Sequence, residues 1–280
     1  MSEQTEASRP PIPDLPQPGL RDPIGFNRRS LIALLILAGV ISTIALCWPE
    51  LAAAEWNAIF ARGDWVRDMD WLLAGLGIFF FVCTALDPNP RHDLATIAAG
   101  MLGGAIIEVW GTRSGLWYYY TGERPPLWIL PAWGMSALSN EKLQRLSMLL
   151  MPPAAREQML SDRDGSLSLR RGYYAGVAFL VSFYLFWSWP AITHPYTFCT
   201  TLLIVAALAS ARYPAYAFSL FLNGALLGIF LEIWGTGRHC WNYYDGKTPS
   251  PFPIFGHGIA ALCFWKMKDA GRKVWELARG

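Results

Sequence analysis

Two glutamates, Glu108 and Glu232, stand 124 positions apart, and each closes an apolar run and leads into an aromatic loop. Residues 108–138 read EVWGTRSGLWYYYTGERPPLWILPAWGMSAL, and residues 232–262 read EIWGTGRHCWNYYDGKTPSPFPIFGHGIAAL. Twelve of these 31 positions are identical without a gap, against about two expected for unrelated segments of ordinary composition. A carboxylate at the edge of a membrane span is rare and is a functional candidate by default. Gly100, Gly103 and Gly104 precede Glu108, and Gly224 and Gly228 precede Glu232. Small residues let neighbouring helices approach closely, so both glutamates are expected to face the interior of a helix bundle. A carboxyl group held there has the chemistry of a general acid; the competing expectation is a structural pin for the loop.

The residues around each glutamate fit the first reading. Trp110, Trp117, Tyr119, Tyr120 and Trp133 follow Glu108, and Trp234, Trp241, Tyr243 and Tyr244 follow Glu232. An interfacial aromatic belt accounts for the composition, but not for a fixed spacing to Glu, Gly and Pro in both copies. Aromatic faces beside an acid stabilise a cation or stack on a flat, apolar polyene, so these nine residues are the expected substrate contacts. The second copy adds His239, Asp245 and His257 where the first has Gly115, Thr121 and Trp133. A histidine beside Glu232 suits a general base or proton shuttle. The expected catalytic set is therefore Glu232, Glu108, His239, His257 and Asp245, with Glu232 doing the chemistry and Glu108 helping to bind. His194 falls near the same loops, but the histidine spacing matches no metal signature, and no metal is expected. No glycine-rich phosphate loop is present, so no cofactor is expected. Gly111, Gly122, Gly235 and Gly246, with Pro125 and Pro249, are read as turn residues. His92 and Asp93 are read as a turn and a capped helix start.

The elements that must position these residues are membrane helices. The chain of 280 residues is 53% hydrophobic and 16% charged, with 14 Trp, too apolar and aromatic for an ordinary soluble domain. Apolar stretches at 31–49, 71–86, 94–110, 127–138, 172–190, 195–211, 215–234 and 253–265 approach the ~20 residues that cross a bilayer; the fourth is expected to continue as a helix toward 150. The expectation is an all-α integral membrane protein with eight transmembrane helices. The second to fourth map onto the sixth to eighth at the same offset, giving two parallel four-helix tandem repeats. A proline-rich disordered tail (1–27) precedes the first repeat (28–140). A charged linker (141–171), the second repeat (172–270) and a basic tail (271–280) follow. With the N-terminus inside, 17 Lys and Arg fall inside and 6 outside. This bias places both termini in the cytoplasm, in a bacterial cytoplasmic membrane, and both aromatic motifs outside. The first apolar run carries no cleavage site, so no signal peptide is expected. Five cysteines without a C-x-x-C pair argue against a disulfide framework or zinc knuckle. The expected partners are a lipophilic substrate, a polyene, and membrane lipids; no basic patch points to nucleic acid.

The block E-V-W-G-T-R-S-G-L-W-Y-Y-Y, with the later P-A-W-G-M, resembles the E-x-x-G-x-x-x-G-x-x-x-x-Y block of membrane carotenoid hydratases of the bacterioruberin type. The tandem plan, with W-x-Y-Y followed by a proline-led helix, also resembles the repeated membrane domain of bacterial and fungal lycopene cyclases. Where the cyclase pattern carries P-x-E-E, this chain has Pro131-Ala132-Trp133 and Phe255-Gly256-His257. Both families protonate a double bond of a polyene. The resemblance thus implies acid-catalysed hydration or cyclisation of a carotenoid or another long isoprenoid. The rival class is a non-catalytic membrane subunit or a lipid or small-molecule transporter whose duplicated aromatic motifs only bind.

Overall fold

The apolar runs end where residues that cap or break a helix stand. Helix α1 (Arg28–Cys47) begins at Asn27, whose side chain accepts from the Arg29 and Ser30 amides while Ser30 bonds back to the Asn27 amide. Helix α2 (Pro49–Phe60) follows, then α3 (Trp71–Ala85). Helix α4 (Pro90–Arg113) has Asn89 as cap and proline in its first turn. Helix α5 (Leu130–Leu150) grows out of a 3₁₀ turn at Leu127–Ile129, and α6 (Pro153–Ser161) is short. Ser166 caps α7 (Leu167–Trp187). A proline stands in the first turn of each of α8 (Pro195–Leu208), α9 (Pro214–Gly237) and α10 (Pro251–Leu277). Among the described residues there are also two three-residue strands, β1 (Trp117–Tyr119) and β2 (Trp241–Tyr243).

This computed structural model describes residues 27–60, 71–85, 88–162 and 164–278. Residues 1–26 of the expected tail lie outside them. The described chain is mostly helical, in keeping with the all-α expectation apart from the small strands. Among the described residues three helices, α1, α4 and α9, are long and apolar enough to cross a membrane, and α3 and α8 contain shorter apolar helices. Two expected boundaries differ from the observed ones. Helix α5 runs through 140 to Leu150, past the start of the expected linker, because its polar residues find partners inside the bundle. The buried Lys142 ammonium lies 3.2 Å from Asp93, and Gln144 Oε1 accepts from Asn223 at 2.7 Å and Ser219 at 3.0 Å. Helix α10 likewise continues to Leu277, through most of the expected tail.

The centre of the bundle is α4 against α5 and α9 against α10, with α4 also touching α10 and α5 touching α9. Small residues make this possible. A Cβ on Gly100 would lie 2.6 Å from the Ala137 Cβ, and one on Gly224 would lie 2.9 Å from the Ala261 Cβ. Helix α3 packs on α5, and α8 packs on both α4 and α10. The strands join at one end of the bundle, antiparallel, with Trp117 opposite Tyr243 and Tyr119 opposite Trp241. At the other end Lys268 donates to Glu141 at 2.7 Å and to Thr96 at 3.1 Å, and His92 bonds Glu141. With Lys142–Asp93 this cluster joins α4, α5 and α10; removing one partner of such a buried pair costs about 3–5 kcal/mol. His92 and Asp93 thus do more than start a helix.

Candidate active site

Side chains alternate across a strand, and the ribbon uses that alternation to aim its aromatics. Tyr118 points away and is 52% exposed, while Trp117 and Tyr119 are buried. The antiparallel register sets Trp117 edge-on to Tyr243 and Tyr119 against Trp241, both with ring centroids 6.1 Å apart. The two aromatic loops therefore form one interlocked roof over the helix ends. Neither loop completes it alone.

Under the roof each glutamate is hydrogen-bonded to three side chains. Glu108, 2% exposed, accepts from Trp117 Nε1 at 3.1 Å, Tyr119 Oη at 2.8 Å and Trp133 Nε1 at 2.8 Å. Glu232, also 2% exposed, accepts from Trp241 Nε1 at 3.1 Å and from Tyr243 Oη at 2.9 Å, and meets His257 Nε2 at 3.1 Å. These partners stand 9, 11 and 25 positions after each glutamate. A buried carboxylate needs such partners, and hydrogen bonds to an ionised acceptor are the strong ones. Position 25 is where the copies part. An indole N–H can only donate, whereas an imidazole both gives and takes a proton near neutral pH. Trp133 and His257 stack on each other, with centroids 5.3 Å apart and ring planes at 22°, so one stacked pair separates the two carboxylates. Thr112 and Thr236 donate to the Glu108 and Glu232 backbone carbonyls at 2.6 and 2.5 Å, not to the carboxylates.

Gly111 and Gly235 are helical rather than turn residues. An added Cβ would fall 1.9 Å from the Trp117 ring and 1.8 Å from the Trp241 ring, so each glycine is the seat of its indole. Gly122 and Gly246 do make turns, at φ of 75° and 66°, where glycine is free of the Cβ penalty.

Both carboxylates open into one cavity of about 460 Å³, within the usual range for small-ligand sites. Of the expected site residues, Glu108, Glu232 and His257 line it, together with Trp110, Trp117, Tyr119, Tyr120 and Trp133, and Trp234, Trp241 and Tyr243. Three do not. Tyr244 turns aside and donates to the Trp187 carbonyl at 2.5 Å. His239 is exposed, in the left-handed region at φ 57°, with Nδ1 3.1 Å from Asn242 Oδ1. Asp245 accepts from Ser250 Oγ at 2.7 Å and the Lys247 amide at 3.2 Å, tying its own loop. His194 stacks on Tyr196, at the start of α8.

Sequence reading misses the walls supplied by α3, α7 and α8. Trp187 stacks on Phe252 at 4.9 Å and meets Trp110 edge-on at 6.5 Å. Its N–H donates to Ser250 Oγ at 2.9 Å. Nothing in the local sequence marks it. Thr200 and Ile204 were detectable, since they stand 124 positions after Leu76 and Phe80, which line the same cavity. Trp110 donates to Thr197 Oγ1 at 3.1 Å, fixing α4 to α8 near the roof. All five cysteines are free. Among the described residues no group of three or more His, Cys, Asp or Glu side chains is placed to hold a metal ion. No family model matches the chain, and neither the curated proteins nor the solved structures yield a match.

Proposed function

We propose that this protein is an integral membrane enzyme that acts on a carotenoid or another long isoprenoid by acid-catalysed protonation of a double bond. The observation that carries the reading is the pair of carboxylates at the head of an apolar, aromatic-walled cavity, one of them bonded to a histidine. Glu232 gives its proton to one carbon of a trisubstituted double bond. The π electrons form the new C–H bond and leave a tertiary cation on the other carbon. The faces of Trp241, Tyr243 and Trp110 stabilise that cation, and Glu108 stands beside them, held in place by its three donors. In hydration, water adds to the cation and returns a proton to Glu232, directly or through His257. In cyclisation, a second double bond attacks the cation to form the ring bond, and the new cation loses a proton from the adjacent carbon to Glu232, which restores the double bond and the acid. Tyr120, half exposed at the roof, lines the cavity where water would arrive. His239 and Asp245 then shape the loop rather than carry protons to substrate.

The same reading assigns eight transmembrane helices, in two parallel four-helix repeats, with both termini cytoplasmic and the roof on the outer side. Equivalent hydrogen bonds around Glu108 and Glu232 support the repeat. The reading is tested by extracting isoprenoids from membranes of a carotenoid-producing bacterial host with and without this protein. A new hydroxylated or cyclised product is expected. An unchanged isoprenoid profile would favour a binding subunit or transporter instead.

A further inference from the structure

We infer that the substrate chain lies in only one of the cavity's two arms, the one between α4, α8 and α10, and that it arrives sideways from the lipid through the gap between α4 and α8. The inference rests on the isoprenoid reading above and adds where the chain binds and how it gets there. Twelve pairs of lining residues stand 124 positions apart, so the cavity has two corresponding halves, the first including Glu108 and the second Glu232. The halves are unequally filled. Where the first has Leu76, Phe80 and Trp128, the second has Thr200, Ile204 and Phe252; Ala132 is answered by Gly256.

The second half is also deeper. On α5 the lining stops at Ser136, whereas on α10 it runs from Phe252 through Cys263 to Met267. Fifteen residues of helix rise about 22 Å, some two-thirds of a ~30 Å hydrocarbon core. A slot of that length, with an apolar wall, fits one extended chain. Its side is open: Ile106 on α4 is 39% exposed and Leu203 on α8 is 51% exposed, and both line the cavity. Trp110 and Thr197 close the gap above them. A chain in this slot ends under the roof, where Glu108, Glu232 and His257 line the same cavity.

The test uses the full chain in lipid nanodiscs. Its probe is phytofluene, a linear isoprenoid whose short polyene accepts energy from tryptophan. The double variant Thr200→Leu with Ile204→Phe installs the first half's own residues and is expected to weaken binding about tenfold or more, the effect of losing about two buried methylenes. Leu203→Trp, at a lipid-facing position that tolerates bulk, is expected to slow binding. Phe80→Ile is expected to change affinity less than twofold. Weakening by Phe80→Ile alone, indifference to the α8 variants, or no phytofluene binding by the parent protein overturns the inference. Binding with this asymmetry but without product formation would leave the slot standing and defeat the catalytic reading. Product formation that ignores the α8 variants would do the reverse.

Discussion

Trp133 and His257 hold the same place after their glutamates, and this difference gives Glu108 an indole N–H, which can only donate, and Glu232 an imidazole, which can also accept. The glutamates and most of the aromatics were legible because identity and spacing recur in both copies. The bonding partners were not, since contacts 9, 11 and 25 positions downstream depend on how the loop folds back. His239 and Asp245 looked catalytic for their residue type, yet the backbone carries both out of the cavity. The glycines give a test at this level. Gly235→Ala puts a Cβ into the Trp241 ring, which costs about 1–3 kcal/mol as overpacking and strains the Trp241–Glu232 bond. Thermal unfolding of the purified variant in detergent is expected to fall by several degrees, and Gly237→Ala, with open space around it, is expected to match the parent protein. Equal stability of the two variants would show that the indole has room elsewhere.

The helices were legible wherever a long apolar run met a capping residue, as at Asn27 and Asn89. The length of α5 was legible too, since its apolar run was expected to continue toward 150; the burial of its far half was not, because Lys142 and Gln144 read as linker residues until Asp93, Asn223 and Ser219 are seen to satisfy them. The strands were not legible either. Three residues are too few for an alternating pattern to stand out, and each strand exists only by pairing with the other. The ribbon nevertheless decides the topology. Because β1 pairs with β2, the loops after α4 and α9 must lie on the same side of the membrane, which the proposed parallel repeats satisfy. Reporter fusions after Gly122 and Gly246 are expected to read outside together, with a fusion at the C-terminus inside. Opposite readings from the two loops would break the ribbon and the repeat at once.

For the whole molecule the consequence is a shared site with unequal halves. In the proposed reading one half keeps its depth, its side opening and the histidine, while the other is filled by larger side chains and contributes Glu108 and half of the roof. On the proposed repeat the two glutamates are counterparts, and the difference between Trp133 and His257 beside them is why one is expected to matter more. The most direct measurement is the yield of the modified isoprenoid in a producing host from the parent protein, Glu232→Gln and Glu108→Gln, each checked for membrane level and unfolding temperature. Both variants keep the shape of the side chain and remove the acid. The expected result is loss of product with Glu232→Gln, by about a hundredfold or more as for a lost general acid, and a smaller loss with Glu108→Gln. Full activity of a folded Glu232→Gln protein, or the reverse ranking, would contradict the assignment of Glu232 as the proton donor.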